Sequence, residues 1–232
     1  MSSHHLGVSE FCNTLLEAKP RIRMLEAGCG SGSHVKFRPV TDAVGIDISG
    51  EQLARNITVQ EKIRGDIQSY PLPKDEFDVV VCWWVMEHLS RPKDALRNMC
   101  SSVKPGGLLV LAFPNLLSYK GMITKFTPLW FHQLYYRAKK YKSHPFPTYL
   151  RTAILPRNVI RFSQDNGFSL VYFELAEGDQ TIQRIRTKSR LVDLAVSTVT
   201  LTLQALSFGK LDSLLRDCCV MVLRKERVGS PA

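Results

Sequence analysis

The segment Glu26-Ala27-Gly28-Cys29-Gly30-Ser31-Gly32 constrains this chain more than any other. It follows a short apolar run, Ile22 to Leu25, that reads as a buried strand led in by Pro20 and alternating basic residues. Glycine at three alternate positions lets the backbone turn sharply and leaves no Cβ between main chain and ligand. Such a loop can hold a dinucleotide, so the spacing decides. The dinucleotide pattern G-x-G-x-x-G requires glycine at 28, 30 and 33, and position 33 is serine. What stands here is E-x-G-x-G-x-G, with an acid two residues before the first glycine. An acid there faces a ligand that carries a cation, not a pyrophosphate.

Four further segments follow in order. Ala43 to Ser49 reads as a second strand ending in the carboxylate of Asp47, nineteen residues after Gly28. In doubly wound folds an acid about 20 residues after the first glycine accepts the ribose hydroxyls. The alternative is a plain cap for a helix starting near Gly50, since Asp and Ser both favour that place. Gly65-Asp66-Ile67 has turn chemistry. Phe77 to Cys82 is a continuous apolar run, as expected of a central parallel strand buried on both faces, and it runs into Trp83-Trp84-Val85-Met86-Glu87-His88-Leu89. Val103-Lys104-Pro105-Gly106-Gly107 predicts a helix stopped by Pro-Gly-Gly, followed by a strand over Leu108 to Phe113.

These five segments in this order resemble the class I S-adenosylmethionine-dependent methyltransferases, of the type 11 or ubiquinone-biosynthesis kind. The cosubstrate of that family has an ammonium group, a sulfonium and no phosphate. The resemblance is close over roughly residues 20 to 115 and loose elsewhere. It implies a doubly wound, Rossmann-like α/β fold with a seven-stranded sheet whose last strand is antiparallel. A basic, aromatic-rich lid insertion and an extra helical insertion before the final strand complete the expected architecture. The resemblance also implies S-adenosylmethionine as cosubstrate, held by Glu26, Gly28, Cys29, Gly30, Gly32, Asp47 and Ile48. Asp66 falls where the family places an acid on the adenine amino group, with Ile67 beside it, and Cys82 and Trp83 close the list at the end of strand four.

A chain of 232 residues with 44% hydrophobic and 22% charged residues can bury a full core. The sequence predicts one methyltransferase domain over 1–232, with a cofactor core at 20–114, a lid at 115–164 and C-terminal strands at 165–232. Met1 to Gly7 lacks the charged-then-apolar order of a signal peptide. Six scattered cysteines (12, 29, 82, 100, 218, 219) show no metal-ligand spacing, and free thiols point to a reducing, cytoplasmic setting. The sequon Asn56-Ile57-Thr58 reads as a chance match on a predicted helix.

The net charge of +10 is concentrated. Residues 1–114 hold 13 basic and 13 acidic residues, and residues 165–232 hold 9 and 8. Residues 115–164 hold 9 basic residues (Lys120, Lys125, Arg137, Lys139, Lys140, Lys142, Arg151, Arg157, Arg161), no acid and ten interleaved aromatics. An acceptor-binding lid over a small anionic or aromatic molecule is the preferred reading, with Pro128, Pro145 and Pro147 fixing its loops. A groove for single-stranded nucleic acid, a patch on an anionic membrane, and a merely solvated face all stay open. Leu191 to Phe208 is too polar to span a bilayer; at helical spacing it reads as a buried helix, or as one that dips into lipid beside the basic segment Arg184 to Arg190.

Methyl transfer needs a nucleophile held about 3 Å from the methyl, and a base where the acceptor is an alcohol or phenol. His88 is the first candidate for that base, with Glu87 beside it and His132 and His144 behind them. An orienting role for Glu87 and His88 is the competing reading. The expected function is methyl transfer to a small-molecule acceptor, by O-methylation. An RNA- or tRNA-modifying enzyme and a catalytically silent partner protein are the alternatives.

Overall fold

The structure, a computed structural model, describes residues 3–33, 37, 40–118, 147–176, 194, 198 and 216–227. Seven strands form one sheet: β1 (Ile22–Ala27), β2 (Val40–Asp47), β3 (Glu61–Arg64), β4 (Phe77–Trp83), β5 (Val103–Pro114), β6 (Phe168–Ala176) and β7 (Cys218–Lys225). Their order across the sheet is β3-β2-β1-β4-β5-β7-β6. Neighbours among β1 to β5 run parallel. β7 is antiparallel, and its hydrogen bonds to the region of β6 show it: Glu226 N–H donates to Gly167 O (2.8 Å) and Ser169 Oγ to Arg224 O (3.4 Å). The strand order reverses between β1 and β4, which is where open α/β sheets bind ligands.

Helices α1 (Ser3–Leu16), α2 (Gly50–Arg55), α3 (Pro92–Ser102) and α4 (Pro156–Asp165) accompany the sheet. Their starts follow local chemistry. Ser49 caps α2 by accepting the Gln52 N–H, while α3 and α4 open on proline, whose missing N–H costs nothing in a first turn. All seven residues of β4 are buried, and its valines pair with Met24, Leu25 and Glu26 on one side and Leu108, Leu109 and Val110 on the other. This is why β4 reads as an apolar run from Val79 onward.

Two expectations are corrected. The sequence predicts that Pro105-Gly106-Gly107 stops a helix, yet α3 already ends at Ser102. Val103 is extended and pairs with Phe77, and the register then jumps to Val79 opposite Leu108. The Lys104–Gly107 segment is therefore a bulge inside β5. Gly106 has φ +77, and a Cβ on Gly107 would lie 2.8 Å from Asp78 O, so this bulge requires both glycines. The Asn56-Ile57-Thr58 segment is also not helical: α2 ends at Arg55, and Asn56 is its extended C-cap with a fully buried side chain. Burial removes this asparagine as a glycosylation acceptor.

At the far end of β4 from the glycine loop, Asp78 accepts from Lys19 Nζ, from Lys104 Nζ (3.2 Å) and from the Arg23 N–H (3.0 Å). Burial pushes its carboxyl up, and these donors more than offset it, leaving the group below its ordinary range. Lys225 ties β7 down in a similar way, donating to Asp75 Oδ1 (2.8 Å), Cys100 O (3.1 Å) and Val103 O (2.8 Å).

The chain divides into two compact units. One comprises Met1–Phe113, Thr148–Glu174 and Val220–Ala232; the other comprises Pro114–Pro147 and Leu175–Cys219. Residues 148–164, which the sequence reading assigns to the lid, belong to the first unit, where α4 lies. Lys120, Lys125, His132, Arg137, Lys139, Lys140, Lys142 and His144 lie outside the described residues, as does the segment 191–208 apart from Leu194 and Thr198. Among the described residues no helix is long and apolar enough to cross a membrane.

Candidate functional site

β1 delivers Glu26 to the carboxyl edge of the sheet, where the parallel strands end, and the glycine loop turns back over the end of β2. Gly28 N–H and Cys29 N–H both donate to Ile46 O, at 2.7 and 3.2 Å. Gly28 and Gly30 have φ of +72 and +50, which glycine adopts without penalty. Each glycine serves a different purpose. A Cβ on Gly28 would lie 2.3 Å from Val85 Cγ2, and one on Gly30 would lie 2.8 Å from Gln52 Oε1. A Cβ on Gly32 would meet nothing within 4 Å. The space at Gly28 is thus taken by the protein's own Val85, whereas Gly32 borders open space.

Asp47 ends β2 beside this loop. Its Oδ2 accepts the Gly30 N–H and its Oδ1 the Ser49 N–H, both at 2.8 Å. Each carboxylate oxygen keeps a second lone pair, so two hydroxyl donors still find acceptors there. Asp47 therefore does not cap α2; Ser49 does. Ile48, next in the chain, is 66% exposed and offers an apolar side chain at the same edge. Gly65 N–H donates to Asp47 O, which brings the end of β3 alongside. Asp66 there accepts from the Gln68 backbone and side chain, and Ile67 is buried.

Cys29 is buried with its thiol against Gly45, where a Cβ would lie 2.6 Å from the sulfur. Burial, then Glu26 and Asp47, push this thiol up to about 12, so it is a packing group and not a nucleophile. Cys82 and Trp83 are buried at the end of β4, where Cys82 pairs with Ala27 of β1 and Trp83 with Ala112 of β5. Among the described residues no cluster of His, Cys, Asp and Glu could hold a metal ion, and all six cysteines are buried thiols.

Beyond β4 the chain makes a tight turn. Trp84 has φ +56, uncommon and strained for so bulky a residue, and its N–H donates to Ala112 O (2.8 Å). A 3-10 turn, Met86–His88, follows. The Glu87 backbone carbonyl accepts both the Tyr149 N–H (2.8 Å) and the Leu150 N–H (3.3 Å). Tyr149 is 46% exposed, with the Arg151 guanidinium 5.5 Å over its ring. Glu87 is 5% exposed; its Oε1 lies 3.8 Å from His88 Nε2, and its Oε2 has no hydrogen-bond partner among the described residues.

Burial pushes the Glu87 carboxyl up to about 7, only partly opposed by a backbone hydrogen bond. A measurable pH dependence results. Between the ordinary 4.5 and about 7 the folded protein keeps a proton that the unfolded chain releases. The contribution of this group is complete below 4.5 and declines as pH rises through 7, by roughly 3 kcal/mol at about 1.4 kcal/mol per pKa unit. Glu87→Gln, neutral throughout, is expected to be more stable than the parent at pH 8 and similar to it at pH 5. Denaturant unfolding at both pH values checks this, and an identical pH dependence in the two proteins contradicts it.

Sequence reasoning missed Asn56, Val85 and the pair Tyr149–Leu150. An Asn after a short helix is a C-cap signal, so Asn56 was within reach of local rules. Nothing in the sequence links Val85 to Gly28, or Tyr149 to Glu87.

A glycine loop between two parallel strands, an acid at the next strand end and a sheet reversing at that point define a doubly wound α/β fold with its ligand crevice there. Residues 5–153 match the methyltransferase domain family Methyltransf_23, and the chain belongs to that family. The fold is that of the class I S-adenosylmethionine-dependent methyltransferases. The mitochondrial ubiquinone biosynthesis O-methyltransferase of Saccharomyces cerevisiae is 22% identical over 171 residues, covering 68% of this chain and 52% of that protein. The tRNA (carboxymethyluridine(34)-5-O)-methyltransferase of Arabidopsis thaliana is 31% identical over 111 residues, 46% of this chain and 28% of that one. Among solved structures, the N-methyltransferase NodS of Bradyrhizobium japonicum, in complex with S-adenosylhomocysteine, has a TM-score of 0.52 at 15% identity, covering 96% of this chain and 85% of that one. The chain spans about half the length of the first curated relatives it matches.

The residues at this edge fit S-adenosylmethionine, the cosubstrate of that class. Gly32 borders open space, Asp47 has lone pairs to spare for hydroxyls, and Ile48 offers an exposed apolar face. Glu26 is an acid with no phosphate-binding pattern around it.

Proposed function

We propose that this chain transfers a methyl group from S-adenosylmethionine to a small-molecule acceptor, by O-methylation. The observation that carries the reading is Asp47, whose carboxylate both orders the glycine loop through Gly30 and stands free to accept two hydroxyls. Asp66 with Ile67 would serve the adenine, and Glu26 the cationic end of the ligand. Cys82 and Trp83, at the end of β4, would complete the cosubstrate site. The bound cosubstrate supplies a methyl on a positively charged sulfur, so the protein has no electrophile to generate. Its residues have to hold the acceptor in line, and positioning of that kind supplies ~7–11 kcal/mol of a barrier. A phenol has an unperturbed pKa near 10, so a base working near neutrality helps. His88, the first candidate in the sequence, keeps that role, and Glu87 beside it, pushed up to about 7, also has the proton affinity for it.

The acceptor is assigned to the basic, aromatic-rich segment 115–164, acting as a lid. Replacing Arg137, Lys139, Lys140 and Lys142 together is expected to weaken acceptor binding and leave S-adenosylhomocysteine affinity within about twofold. Collapse of S-adenosylhomocysteine binding in a folded variant rejects that division of labour. A tRNA acceptor is the second reading, favoured by the similarity to the Arabidopsis tRNA methyltransferase and by nine basic residues without an acid in this segment. Incubation with radiolabelled S-adenosylmethionine and a fractionated extract identifies the labelled product. Nucleic-acid binding would weaken with salt at a slope of about −0.7 per phosphate contacted on single strands, and a small neutral acceptor would show almost none. No labelled product from either fraction, with S-adenosylhomocysteine bound, favours a silent partner protein. Peripheral membrane contact through the same segment is tested by vesicle sedimentation. The free cysteines support a cytoplasmic location.

A further inference from the structure

Asn56 and Thr58 lie in the segment joining α2 to β3, outside every motif that marks the cofactor loop. The Asn56 side chain is fully buried, and its amide is fully engaged. Nδ2 donates to Cys29 O (3.3 Å) and Gly30 O (3.1 Å). Oδ1 accepts from the Thr58 N–H (2.8 Å) and from Thr58 Oγ1 (2.7 Å). Thr58 Oγ1 in turn accepts the Ser33 N–H at 2.9 Å. Two side chains thus grip the glycine loop at its middle and at its far end.

The peptide plane explains why this grip matters to a ligand. In a trans peptide the N–H points opposite to the carbonyl of the preceding residue. Holding the carbonyls of Cys29 and Gly30 against Asn56 therefore turns the N–H groups of Gly30 and Ser31 away from it. The Gly30 N–H then lands on Asp47 Oδ2, so the amide of Asn56 also sets the orientation of the carboxylate that faces the hydroxyls. Glycines at 28 and 30 with positive φ give the loop several alternative shapes, and without a latch the loop must be ordered by the ligand itself. That ordering weakens binding.

We propose that Asn56 and Thr58 are positioning residues for the cosubstrate: a latch that presets the glycine loop and Asp47 in the geometry that S-adenosylmethionine requires. The latch rests on the cosubstrate assignment made above. It needs no acceptor to test.

Calorimetry with S-adenosylhomocysteine on the full chain compares the parent with Thr58→Val, Thr58→Ser and Asn56→Asp. Valine keeps the shape of threonine and removes the hydroxyl, and serine restores it. Thr58→Val is expected to raise Kd about 3- to 10-fold, the cost of losing one modest hydrogen-bond relay, with Thr58→Ser within about twofold of the parent. Thr58 is exposed, so the ligand-free melting temperature of both should stay within about 2 °C. Amide exchange over residues 29–33 should quicken in Thr58→Val and not in Thr58→Ser. Asn56→Asp, which sets a carboxylate against two carbonyls, should raise Kd by about 10- to 100-fold. If it does not fold, the threonine pair still decides. Equal affinity in Thr58→Val and the parent, or equal weakening in valine and serine variants, overturns the latch. No binding of S-adenosylhomocysteine by the parent overturns the cosubstrate assignment instead, and with it the premise of the latch.

Discussion

Asp47→Ala is expected to weaken S-adenosylhomocysteine binding by about 10- to 150-fold, because hydrogen bonds to a charged group are worth about 1.5–3 kcal/mol. The structure adds a reason for the upper end of that range. Removing the carboxylate also leaves the Gly30 and Ser49 N–H groups without the acceptor that both now use at 2.8 Å. The loop loses its orientation together with the ligand contact. Asp47→Asn separates the two effects, since its Oδ1 still accepts one backbone N–H while the charge is gone. The asparagine variant should fall between alanine and the parent. Calorimetry with all three proteins measures the order, and an unchanged dissociation constant in Asp47→Ala would falsify the role given to this acid.

Gly28→Ala is expected to destabilise the protein by about 2–5 kcal/mol. A left-handed backbone costs an alanine roughly 1–2 kcal/mol, and overpacking adds about 1–3. Both apply here: φ is +72, and the new methyl would sit 2.3 Å from Val85 Cγ2. For a chain of this size that corresponds to a melting temperature lower by roughly 4–20 °C. Gly28→Ala combined with Val85→Ala should recover the packing part and not the backbone part. Equal stability of the single and double variants shows that the two residues do not collide as the structure has them. A neutral Gly28→Ala sinks the whole account of this glycine. The experiment also separates two purposes that a glycine pattern merges, room for a ligand and room for the protein itself.

The central strands were legible because their signals are local. Phe77 to Cys82 has no polar interruption after Asp78, and a strand buried on both faces needs none. The strand–glycine loop–strand–carboxylate order is a matter of spacing along the chain, and Asp47 stands where that spacing puts it. β3 is different. Glu-Lys-Ile-Arg at the sheet edge buries little, so it carries no apolar pattern, and its pairing with Val44 to Asp47 is what makes it a strand. α4 was absorbed into the basic segment because its arginines dominate the composition there, while its buried contacts come only from Val159 and Ser163. The stop after α3 was misplaced for a related reason: Pro-Gly-Gly is a breaker in any context, and only the pairing of Val103 with Phe77 turns it into a bulge.

From its sequence alone, the chain determined its class. Periodicity, a run of buried strands and one loop of alternate glycines are backbone preferences expressed over a few neighbouring residues, and they survive without knowledge of any partner. Tertiary structure decided everything that depends on who meets whom. Val85 fills the space beside Gly28, the Cys29 thiol excludes a side chain at Gly45, Asn56 holds the loop carbonyls, and burial gives the Glu87 carboxyl its proton affinity near neutrality. Each of these joins residues distant along the chain or depends on the loss of water around a charge, and neither quantity is written in local sequence.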